Sequence, residues 1–130
     1  MFDWGQYYVL ARDLLLLAGN SQQKEAILRS AVSRAYYAAF HAADGYLQRT
    51  GKYPPMQENS AVGSHDRIIN TFIRGTTHPD WVRIGRKLKK LKGFRHWADY
   101  NPLGTAFLNT DDVADKVEEA EEIIKLLKSL

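Results

Sequence analysis

The 130-residue chain has no cysteine, only four prolines and no apolar run long enough to cross a bilayer. Without cysteine, disulfides and thiolate-held metals are excluded, and the composition suits a reducing cytoplasm. The early apolar run "LLLLA" at 14–18 follows Arg12 and Asp13 and leads into no cleavage-site pattern, so the expected location is cytoplasmic, with no membrane contact. There is also no Gly-rich phosphate loop, no Ser-His-Asp order and no His/Glu cluster at metal-ligand spacing. The expectation is therefore no metal and no cofactor. No segment alternates with a period of two, so no strand is expected.

What remains is apolar patterning with a period near 3.6, which predicts an all-α, up-and-down bundle of four to five helices in one domain over 1–130. The first helix is expected over 3–18, and "GNS" at 19–21 stops it and caps the next. A long second helix is expected over 22–49, ending at Thr50-Gly51. A loop containing "YPPMQENS" follows. A short helix is expected over 64–74 with Ser64 as its N-cap. "GTTHPD" turns the chain into a basic helix over 81–97, and "NPLGT" at 101–105 ends that region because Asn101 precedes Pro102. The last helix is expected over 110–128, with acids at its start and lysines near its end, as the helix dipole favours.

The net charge of +3 conceals a strong segregation. "RIGRKLKKLKGFR" at 83–95 holds seven Lys/Arg and no acid, whereas "DDVADKVEEAEE" at 111–122 holds seven Asp/Glu and one Lys. Arg83, Arg86, Lys87, Lys89, Lys90 and Lys92 are the candidate contacts for a polyanion such as RNA. Trp81, Phe94 and Trp97 are candidate base-stacking residues, although aromatics at helical spacing more often fill a core. The alternative is that the basic and acidic faces pair with each other within the fold or across a dimer.

"SRAYYAAFHAAD" at 33–44 carries a polar stripe on an otherwise apolar helix. At about 100° per residue, Arg34, Tyr37 and His41 share one side, and Val32, Tyr36, Phe40, Ala43 and Leu47 form a wide apolar face opposite. A central helix of this kind buries its stripe, and a buried guanidinium needs a partner. On the basic helix, Ile84, Leu88 and Leu91 define the core stripe and Arg95 returns close to it, so Arg95 is expected to point inward. Asp99 lies one turn on, beside Tyr100, and Arg34 with Asp99 is a candidate buried pair. Arg34, His41 and Arg95 are also the residue types that metal-free RNA cleavage requires: a base near the 2′-hydroxyl and cations to hold charge on phosphorus. The competing reading of the same residues is a satisfied structural network with Tyr37, Asp99 and Tyr100. His65 is expected as a surface residue near a helix start, and His78 as a turn residue.

"SRAYYAAFHAADGYL", "GSHDRIINTFI", "LKGFRHWADYNP" and "DKVEEAEEIIKLL" together resemble the HEPN family, in particular its small stand-alone bacterial and archaeal members, over roughly residues 5–128. The resemblance implies a helical bundle that dimerises through the helices bearing the polar residues. It also implies a minimal nucleotidyltransferase partner in a toxin–antitoxin or defence pair, and many family members are metal-independent ribonucleases. The family's catalytic signature, Arg then four to six residues then His on a late helix, is absent here: Tyr100, Asn101 and Pro102 stand where the histidine belongs, and His96 directly follows Arg95. Arg34 and His41 have the spacing but lie on the earlier helix, and Arg74 to His78 is too short. Two expectations follow: a homodimeric module that binds its partner or RNA, or a ribonuclease with Arg34, His41 and Arg95 in a composite dimer site. By family analogy Tyr100 is also a candidate acceptor for nucleotide modification by the partner.

Overall fold

The computed structural model describes residues 1–19, 21–55, 63–102 and 109–130 and consists of five helices. They are α1 (Gly5–Ala18), α2 (Lys24–Arg49), α3 (Ser64–Ile73), α4 (Pro79–Tyr100) and α5 (Thr110–Ser129). No strand occurs among the described residues. The chain is an all-α helical bundle, and no described helix is long and apolar enough to cross a membrane. Much of "YPPMQENS" and of "NPLGT" lies outside the described residues.

The expected helix ends hold to within a few residues, and the caps show why the chain stops where it does. Gly51 adopts φ 69°, which lets Lys52 N donate to Leu47 O (2.9 Å) and Gly51 N to Gln48 O (3.3 Å), closing α2 with paired bonds to its last carbonyls. Gly63, not Ser64, occupies the N-cap of α3, and no side chain caps that end. His78 is more than a turn residue. Its Nδ1 accepts from Asp80 N at 3.1 Å, and Pro79 fills the first helical position, where no N–H is needed. Asn109 caps α5, its Oδ1 accepting from Asp112 N at 2.7 Å.

Helix α2 is the hub, packing against α1, α3, α4 and α5. Its apolar face buries Val32, Tyr36, Phe40, Ala43 and Leu47 as the periodicity predicts. Facing it are Ile68, Ile69 and Phe72 of α3, Ile84, Leu88 and Leu91 of α4, and Val113, Val117 and Ile123 of α5. Each fully buried Leu, Ile or Val contributes about 1.5–3 kcal/mol relative to exposure. Helix α1 packs differently. Its fully buried residues are the small Ala11 and Ala18, set against the Ala-rich α2, and its longer side chains Val9, Leu10, Leu16 and Leu17 remain exposed.

Helices α3 and α4 approach closely at Gly85. A β-carbon there would lie 2.7 Å from both Cγ1 and N of Ile73 and 3.0 Å from Ile69 O. Backbone cannot yield as a flexible side chain can, so Gly85→Ala is expected to destabilise the fold by about 1–3 kcal/mol. Gly93, on the same helix, faces open space. Gly93→Ala is expected to stabilise by about 0.5–1 kcal/mol. Urea unfolding of both variants checks the pair, and equal effects would contradict this packing.

Candidate functional site

The side chains that join α2 to α4 centre on Arg95, which is 9% exposed. Its guanidinium lies over the rings of Tyr36 (5.3 Å) and Tyr37 (5.5 Å) on α2. One turn on along α4, Asp99 Oδ2 sits 3.3 Å from Arg95 Nη1. Ser33 Oγ donates to the same Oδ2 at 3.5 Å and accepts from Arg34 Nη2 at 3.3 Å. A hydroxyl can do both at once. Arg34 also lies over Tyr7 (4.6 Å) and Tyr37 (5.3 Å). Tyr37 is thus flanked by two guanidiniums, of which Arg95 pairs with the Asp99 carboxylate and Arg34 reaches it through Ser33. The candidate Arg34–Asp99 pair is not direct, because Ser33 stands between them. Arg95 Nε is buried with no hydrogen-bond partner among the described residues. Besides the Asp99 carboxylate, the π faces of Tyr36 and Tyr37 present negative surfaces to the guanidinium.

This network borders an open groove of about 460 Å³ lined by Leu10, Leu14, Ser30, Ser33, Arg34 and Asp99. His41 belongs elsewhere. Its ring stacks on Trp4 at 3.6 Å and 13°, and it lines a separate cavity of about 490 Å³ with Asp44, Gly45, Gln48 and Arg49. Burial lowers the His41 pKa, and Asp44 partly opposes this. Arg34 and Arg95 are therefore brought together and His41 is not. Tyr100 also lies outside the cluster, 67% exposed, with its ring 4.8 Å from that of His96.

Two residues of the junction were not anticipated. His65 is half-buried rather than a surface cap. Its Nδ1 is 2.8 Å from Tyr36 Oη, and its ring stacks on Phe40 at 3.9 Å and 6°. Burial lowers its pKa first, followed by the nearby charges of Arg95 and Lys92. Burial raises the Tyr36 pKa far above 10.0, so its hydroxyl stays protonated. The signal for His65 was present in the sequence: His65, Ile68, Ile69 and Phe72 follow i, i+3, i+4, i+7, the apolar stripe of α3. Arg29 is the second. Its Nη1 donates to Ala98 O (2.8 Å) and Asn101 O (2.7 Å), which places a cation on the carbonyl end of α4.

The basic residues divide into two groups. Lys87 pairs with Glu122 (2.9 Å) and Lys92 with Asp66 (2.7 Å). The Glu122 carboxyl is held below its usual range by Lys87, with Arg83 adding to the effect. Arg83, Arg86, Lys89 and Lys90 are exposed, and no described carboxylate lies within ion-pair distance of them. Of the candidate stacking aromatics, Trp81 is buried against Phe72, Trp97 lies under Arg29, and Phe94 lies under Lys116. Among the described residues, no three His, Cys, Asp or Glu side chains form a group able to hold a metal. Among the described residues, no histidine hydrogen-bonds to Arg34, Arg95 or Asp99, and the carboxylate of the cluster, Asp99, is engaged by Arg95 and Ser33.

In comparison with known proteins, a family model described as the HEPN domain matches residues 11–130. No curated protein and no solved structure matches the chain.

Removing Asp99 leaves Arg95 buried without its counter-charge. Asp99→Ala is expected to cost about 1–3 kcal/mol, moderated because the Asp99 carboxylate is partly hydrated. Arg34→Ala, at the wet edge of the network, is expected to cost less than about 1 kcal/mol. Equal losses in urea melts would contradict the assignment of Arg95 as the buried centre.

The histidines give the fold a pH dependence. His41 and His65 both have folded pKa values below the unfolded 6.5, so the unfolded chain binds more protons as the medium becomes acidic. Their contribution is full above about pH 6.5 and is lost as pH falls through the lowered folded values. Unfolding midpoints are expected to drop between pH 7.5 and 5, and the drop should shrink in the His41→Asn, His65→Asn double variant. An unchanged slope in that variant would assign the dependence to other groups.

Proposed function

The chain belongs to the HEPN domain family, and on that premise we propose that it is a dimeric helical module that acts with a minimal nucleotidyltransferase in a toxin–antitoxin or defence pair and contacts RNA. The observation that carries the dimer is the surface around the Arg34–Asp99 groove. Leu10 and Leu17, two turns apart on α1, are 41% and 64% exposed, and Leu10 and Leu14 form the apolar wall of that groove. An apolar strip beside a charged network, open on one side, fits a self-complementary interface in which a second copy excludes water from Arg34 and Asp99. The nucleotidyltransferase partner rests on the family resemblance, and RNA contact rests on the unpaired Arg86, Lys89 and Lys90.

The ribonuclease reading has weaker support. A catalytic base must reach its proton, and the His41 ring is covered on one face by Trp4 and lines a different cavity from Arg34.

Light scattering on the eluting protein is expected to give twice the 14.8 kDa of one chain. A Leu10→Asp, Leu17→Asp variant is expected to give a single chain with unchanged helical content. In parallel, structured RNA is expected to survive incubation in excess EDTA. A monomeric wild type would overturn the dimer, and metal-independent cleavage abolished by His41→Ala would overturn the non-catalytic reading.

A further inference from the structure

Helix α4 presents a face that neither the core nor the Arg34–Asp99 groove uses. Arg86, Lys89, Gly93, His96 and Tyr100 follow i, i+3, i+7, i+10, i+14, which confines them to an arc of about 80° on the helix. All five are exposed, and Lys90 flanks them. Over the fourteen steps from Arg86 to Tyr100 the face is about 21 Å long. Its composition changes along the axis: cations without carboxylate partners fill the first half, a gap follows at Gly93, and two rings end it. A β-carbon at Gly93 would meet nothing within 4 Å, so the middle of the face is bare backbone that a ligand can approach. The rings of His96 and Tyr100 lie 4.8 Å apart, tilted by 48°, and Tyr100 stands 67% exposed on the final turn.

We infer that this face is a track for single-stranded RNA, with Arg86, Lys89 and Lys90 taking backbone phosphates and the Tyr100–His96 pair stacking a base at one end. The inference rests on the reading of the chain as an RNA-contacting module and specifies which RNA and which residues. Cations alone accept any polyanion, and the exposed aromatic end selects among them. A duplex hides its base faces within its own stack, whereas an unpaired base can be laid on an exposed ring. A single α-helix is also convex, without the groove needed to enclose a duplex. The nearby acids do not oppose the track: Glu122 and Asp66 are engaged by Lys87 and Lys92, and Asp99 is turned toward Arg95 and Ser33. The aromatics that the sequence offered for stacking, Trp81, Phe94 and Trp97, are committed to packing, and Tyr100 takes that role.

The test is fluorescence anisotropy with a labelled ten-nucleotide oligouridine and a blunt RNA duplex of equal length, at several salt concentrations. The single strand is expected to bind more tightly than the duplex, with a log–log salt slope of about −2 for three phosphates neutralised. Tyr100→Ala is expected to weaken single-strand binding about tenfold with the slope unchanged, and Tyr100→Phe, which keeps the ring, to restore it. Arg86→Gln with Lys90→Gln is expected to flatten the slope. Equal binding of duplex and single strand, or no effect of Tyr100→Ala, would overturn the stacking track while leaving RNA contact standing. No binding of either RNA would overturn the track and the RNA reading together.

Discussion

A buried guanidinium is the constraint on which the junction of α2 and α4 depends. Arg95 cannot be desolvated without compensation. It obtains that compensation from one carboxylate on its own helix and two tyrosine faces on the neighbouring one. The arrangement fixes how α4 lies on α2. Asp99 must sit one turn beyond Arg95, Ser33 must face Asp99, and Tyr36 and Tyr37 must lie side by side beneath the cation. Tyr36 then engages His65, which carries the same set of contacts onto α3. One charged side chain thus orders groups on three helices, where purely apolar packing would allow α4 to slide or rotate against α2.

The same arrangement gives the molecule two outer surfaces of different character. On one side, the Arg34 end of the network opens into a groove walled by Leu10 and Leu14 of α1, with the exposed Leu17 two turns beyond Leu10. That groove is suited to a second copy of the chain. On another side, α4 turns its unpaired cations and the His96–Tyr100 rings to solvent. Because α4 is anchored through Arg95, Lys87 and Lys92, the residues left over on its outer face are available to a ligand. The acidic run on α5 neutralises only part of the basic run, and Arg83, Arg86, Lys89 and Lys90 keep no described carboxylate within ion-pair distance.

Much of this could be read from the residues, and the rest failed for identifiable reasons. Helical periodicity placed Val32, Tyr36, Phe40, Ala43 and Leu47 in the core and turned Arg95 inward, because an angle around a helix is a local property of sequence. It does not supply the distance between helices, so Arg34 and Asp99 stand in the sequence only as a candidate pair, and Ser33 bridges them. His65 was misjudged because a polar residue at a helix start resembles a cap, while its spacing to Ile68, Ile69 and Phe72 marked it as part of the apolar stripe. The sequence carries no signal for the reach of Arg29 to the carbonyls that end α4, since these lie far away in the chain. His41 shares a side with Arg34, yet the two lie two turns apart and line different cavities, with Trp4 stacked on His41 and Tyr7 on Arg34. The family, by contrast, could be recognised from the polar stripe and the later Ala-Asp-Tyr, and the family model covers 11–130.

The account turns on Arg95 being a dry, ring-covered centre rather than a mobile cation at the mouth of a site. Its Nε proton reports this directly, because that atom is buried with no hydrogen-bond partner among the described residues, in a guanidinium that lies over two tyrosine rings. Arginine side-chain NMR on the labelled protein at neutral pH measures its shift and its exchange with water. The account predicts an upfield, ring-shifted resonance that exchanges far more slowly than that of the exposed Arg86. An Arg95 proton at the ordinary shift that exchanges as fast as Arg86 would contradict it.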